Sequence, residues 1–77
     1  MNNARRTAIA ALADRIGEIK AELETLRDEE NDYFDNMPES FQCGDKGQVA
    51  EAAVASMDDA LSELEGAIDN LNSSTGG

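Results

Sequence analysis

Histidine is absent from this 77-residue chain, cysteine and proline occur once each, and six basic side chains stand against seventeen acidic ones. Each shortage excludes something. With Cys43 alone, no disulfide can close within the chain. A single thiol without imidazole also cannot build a zinc site, which takes about four ligands. Acid–base and nucleophilic chemistry is reduced to exposed carboxylates, and no glycine-rich phosphate cradle is present. Paired carboxylates could serve a glycosidase-like reaction only in a concave site, which two helices do not make. No enzyme activity, cofactor or metal is therefore expected.

The scarcity of Lys and Arg removes the basic footprint that dominates nucleic-acid affinity, and with it attraction to anionic membranes. Five of the six basic residues lie within residues 1–27; residues 28–77 hold Lys46 alone beside thirteen acids. A protein partner with a basic surface is what such a field would attract. No run approaches the roughly 18–20 apolar residues of a membrane span. Arg5-Arg6 followed by Ile9-Ala10-Ala11-Leu12 resembles the start of a signal peptide, but Asp14 and Arg15 cut the apolar run short and no cleavage pattern follows. The expectation is a cytoplasmic protein, and the unpaired cysteine agrees with a reducing compartment. Below about 80 residues a single core usually needs a disulfide, a metal or a partner chain. The first two are missing, which leaves self-association.

What the chain does have is helical periodicity. Ile9, Leu12, Ile16, Ile19, Leu23, Leu26, Tyr33 and Met37 step by three and four, with Glu30 in one core position. This is a heptad seam, and it predicts a helix over about residues 3–36. Lys20–Glu24 and Glu24–Arg27 are spaced for ion pairs one turn apart, while Asp14–Glu18, Glu18–Glu22, Glu24–Asp28 and Asp28–Asp32 repel at the same spacing. The run Asp28-Glu29-Glu30-Asn31-Asp32 does not fit a calcium loop, because Tyr33 falls where that loop needs glycine.

The periodicity stops at Asn36-Met37-Pro38-Glu39-Ser40-Phe41-Gln42-Cys43-Gly44-Asp45. Proline disfavours helical geometry in the residue before it, so a turn is expected over residues 37–45. Asp45 with Gln48 three residues on reads as an N-cap and capping-box partner. The three aromatics, Tyr33, Phe34 and Phe41, gather at this corner as an apolar plug or a partner-binding knob. Cys43 is expected to be an exposed bystander.

The words Asp35-Asn36-Met37-Pro38-Glu39-Ser40-Phe41-Gln42, followed by an alanine-rich acidic segment, resemble a pattern in small proteins of tailed bacteriophages and prophages. In that family an N-[ML]-P-E-[NS]-[LF]-Q turn joins two helices. The resemblance covers about eight residues and implies a phage or prophage origin and nothing catalytic. Phage accessory proteins of this size are often inhibitors of a host or defence protein, and by that analogy the resemblance adds weight to a binding role without assigning an activity.

Beyond the corner, Ala50, Val54, Met57, Leu61, Leu64, Ile68 and Leu71 form a second heptad seam, predicting a helix over about residues 46–71. Ala53, Ala60 and Ala67 run beside it as a stripe of small side chains. Glu51, Asp58, Asp59, Glu63 and Glu65 make this helix anionic and are the candidate contacts for a basic partner, together with Tyr33, Phe34 and Phe41. The fold expected is all-α, an antiparallel two-helix hairpin over residues 1–72 with a flexible tail at 73–77. In that hairpin Leu26 faces Met57, Leu23 faces Leu61, Ile19 faces Leu64, Ile16 faces Ile68 and Leu12 faces Leu71. The terminal Gly76-Gly77 lacks the β-grasp pattern that would make it a conjugation tail. Two hairpins are expected to pair as a four-helix bundle that also buries the alanine stripe. Two functional classes remain: an acidic module docking on a basic protein, or an assembly element that binds itself or another helical protein through its seam.

Overall fold

A computed structural model describes residues 2–76. Helix α1 spans Asn3–Asp35, α2 is a four-residue turn of helix at Glu39–Gln42, and α3 spans Asp45–Ser74. No strand occurs among the described residues. α1 and α3 pack along each other as an antiparallel pair, giving a rod with extents of 58 × 14 × 14 Å.

α1 starts where Asn2 caps it: the Asn2 side-chain oxygen accepts the Arg5 N–H at 2.7 Å, satisfying one of the helix's orphan donors. It ends at Asp35 because Pro38 pushes the residue before it out of helical geometry. The corner is more ordered than a plain turn. The Pro38 carbonyl accepts from Phe41 at 2.8 Å and Gln42 at 3.1 Å, which makes α2. The Gln42 side-chain amide then donates to the Phe34 carbonyl at 3.1 Å, tying the corner back to one of the last carbonyls of α1.

The start of α3 differs from the capping-box expectation. Gly44, in extended conformation, is the N-cap, and no side chain caps the helix. The Gly44 carbonyl accepts from Gln48 at 3.0 Å, so Asp45 becomes the first helical residue. There its carboxylate still sits at the positive end of the helix dipole. Gly47 lies inside α3, in its first turn. It is buried against α2, and a Cβ at this position would collide with the Gln42 carbonyl.

α3 also runs three residues beyond the expected end, through Ser74, into the segment expected to be flexible. The Ser74 hydroxyl donates to the Leu71 carbonyl at 2.7 Å and the Thr75 hydroxyl to the Asn72 carbonyl at 2.8 Å, which caps the last turn. Of the expected tail and domain limits, Gly77 and Met1 lie outside the described residues.

The seam of α3 is the expected one. Ala50 and Leu61 are buried, and Val54, Met57, Leu64, Ile68 and Leu71 are half-buried. The seam of α1 is rotated. Ile9, Ile16 and Leu23 are half-buried as expected, but beside them lie Ala13, Lys20, Arg27 and Phe34. The expected seam members Leu12, Ile19, Leu26 and Tyr33 are instead 47%, 53%, 56% and 52% exposed. Their pairings with Leu71, Leu64 and Met57 therefore do not form a closed core. The reason lies in the long basic side chains: Lys20 and Arg27 are half-buried at this edge, and their charged ends reach acids on α3.

Candidate interaction surface

The rotation of α1 gives the hairpin two unlike flanks. On one, Lys20 bridges Glu24 at 3.1 Å on its own helix and Glu65 at 3.3 Å on α3. Arg27 pairs with Asp28 at 2.8 Å and with Asp58 across the hairpin. The expected Glu24–Arg27 pair is replaced by these contacts. Hydrogen bonds to Glu24 and then Glu65 hold the Lys20 ammonium above its ordinary value of 10.5, and those to Asp58 and then Asp28 raise Arg27 likewise. The two cross-hairpin pairs are one heptad apart on both helices, and in each the residue numbers add to 85. That is within about two residues of the expected alignment, too close for a one-turn slip of about four.

These pairs also fix which flanks coincide. The α1 flank holding Lys20 and Arg27 and the α3 flank holding Asp58 and Glu65 lie together. The remaining flanks must then share the opposite side: Leu12, Ile19, Leu26 and Tyr33 on α1, and the half-buried Ala53, Ala60 and Ala67 on α3. The result is an apolar strip about 30 Å long at 1.5 Å per residue. At the corner it widens into an open groove lined by Glu30, Tyr33, Asp45, Lys46, Val49 and Ala50, with Met37 and Phe41 adjoining.

The candidate residues therefore separate. Tyr33 and Phe41 are exposed on the apolar side of the corner, whereas Phe34 is half-buried at the hairpin interior. Glu51, Asp58, Asp59, Glu63 and Glu65 are all exposed, but Asp58 and Glu65 are engaged by Arg27 and Lys20, so they are not free contacts. Val49, 69% exposed, belongs to the apolar groove and was not among the residues expected there. Its only sequence signal is that it precedes the seam residue Ala50 by one. Cys43 is exposed at the corner. The acidic run 28–32 is helical throughout, and among the described residues no group of three metal-ligating side chains converges. No helix is long and apolar enough to cross a membrane among the described residues. Comparison of the chain with known protein families, with curated proteins and with solved structures gives no match.

Proposed function

We propose that this chain is a non-catalytic helical-hairpin interaction protein that works through its bare apolar flank, pairing there with a second copy to form a four-helix bundle. The observation that carries this reading is the half-exposure of Leu12, Ile19, Leu26 and Tyr33, four large side chains in heptad register on one side of the rod. A seam of that kind is ordinarily covered by another helix. Ile19→Asp with Leu26→Asp tests it. Neither residue closes the hairpin seam, so helicity should persist by circular dichroism. Self-association by light scattering should be lost, and in the wild type it should change little from about 50 to about 300 mM salt.

One observation favours a second reading. Residues 27–60, the corner half of the rod, hold ten acidic and two basic side chains. On that reading the corner docks on, and inhibits, a basic protein of a bacterial host, in keeping with the phage-like turn and a cytoplasmic setting. Such docking should collapse over the same salt range, because exposed charges are screened beyond about 8–10 Å. It should also survive the Ile19/Leu26 double substitution.

A further inference from the structure

We infer that the two copies stack flank to flank with their corners at opposite ends, related by a two-fold axis perpendicular to the long axis of the rod. This rests on the apolar-flank reading above and fixes its partner and geometry.

Area favours a partner of the chain's own size. The hairpin exposes 5418 Å². A compact monomer of 8.2 kDa exposes about 4500 Å², so the excess is about 900 Å². A standard interface covers about 800 Å² on each partner. Isologous contact between two such strips would cover what the hairpin leaves bare.

Charge decides the orientation. Residues 27–60 carry a net charge of −8 and the rest of the chain −3. Stacking with both corners at one end would bring two −8 halves to within about one interhelical spacing, roughly 10 Å. Stacking them at opposite ends separates the halves by about half of the 58 Å rod, well beyond the Debye length of about 8–10 Å. The opposed arrangement places α1 against its copy, with Leu12 beside the copy's Tyr33 and Ile19 beside its Leu26. Along the rim Arg15 meets Glu29 of the copy twice, once on each side of the axis. Glu22 meets its own copy at the axis, and Glu63, level with it on α3, does the same, two like-charged contacts between exposed side chains. With both corners at one end, Arg15 would lie beside Asn70 and Glu22 beside Glu63, with no opposite-charge pair on that rim.

The exposed Cys43 sits at the corner and supplies the probe. Nitroxide labels on Cys43 of the otherwise unaltered protein, read by double electron–electron resonance, should give a distance of about 50 Å, from a corner some 18 residues beyond the strip's midpoint at 1.5 Å each. Sedimentation should give twice the 8.2 kDa chain mass, and Arg15→Glu should weaken the dimer severalfold at low salt. A dimer with a label distance under about 25 Å overturns the opposed stacking while leaving the apolar flank as the interface. A monomer at all concentrations overturns the second copy as occupant; if a helical partner were then captured and lost with Ile19→Asp, the broader reading would stand. A dimer that survives the Ile19/Leu26 double substitution with helicity intact overturns both.

Discussion

At Gly47 the hairpin depends on a missing side chain. Its backbone lies against Gln42, whose amide ties the corner to α1, so there is no room for a methyl group. Gly47→Ala should force the two segments apart and cost about 1–3 kcal/mol, the usual range for overpacking a close contact. A lowered thermal midpoint by circular dichroism would show it; an unchanged one would mean that the corner moves freely. The sequence shows a glycine near the turn but not its role, because the contact joins residues whose geometry is set by α2, an element without periodicity. Lys20 makes a prediction of the opposite sign with pH. Its pKa in the folded state lies above 10.5, so the stabilisation it gives is fully present below that value and lost as pH rises through the folded value. Lys20→Met keeps the apolar stem and removes the titration. The gap in melting temperature between wild type and variant should close as pH rises through the folded value.

At the scale of the helix, α3 was legible and α1 only partly so. Every seam position read from the α3 pattern is buried or half-buried, since its apolar stripe is flanked by acids that cannot substitute for it. α1 carries a wider stripe, and spacing alone does not say which edge faces the partner helix. Ala13, Lys20, Arg27 and Phe34 took one edge because the two basic residues find acids across the hairpin. Read on one helix, those residues look like solvent-facing charge. That Asp58 and Glu65 are engaged across the hairpin is hidden from the sequence for the same reason. The anionic α3 thus has basic neighbours after all, supplied by α1. Within α3, Gly66 faces open space, with nothing within 4 Å of an added Cβ. Gly66→Ala should therefore stabilise the hairpin by about 0.5–1 kcal/mol through helix propensity and the unfolded state. A rise in the urea midpoint would register this, and a fall would mean that the position is covered in the assembled protein.

Across the whole molecule, little is enclosed. Ala13, Ala50 and Leu61 are the buried apolar residues, and no large side chain is fully buried among the described residues. Such a rod has a marginal core of its own, so its stability should rise with concentration if the strip is covered by a second copy. Melting followed over a hundredfold dilution tests this: a midpoint that falls on dilution agrees with a dimer, and a constant one contradicts it.

The ion-paired flank bears on how far assembly can go. Lys20 and Arg27 leave the back of the rod charged and internally satisfied, so among the described residues each chain offers one sticky side and no second. A surface with a valence of one is saturated by a single mate, and two-fold closure leaves no free end for a third. Concentrated solutions should stay clear and scatter as discrete particles, where a rod greasy on both sides would grow into sheets or fibres.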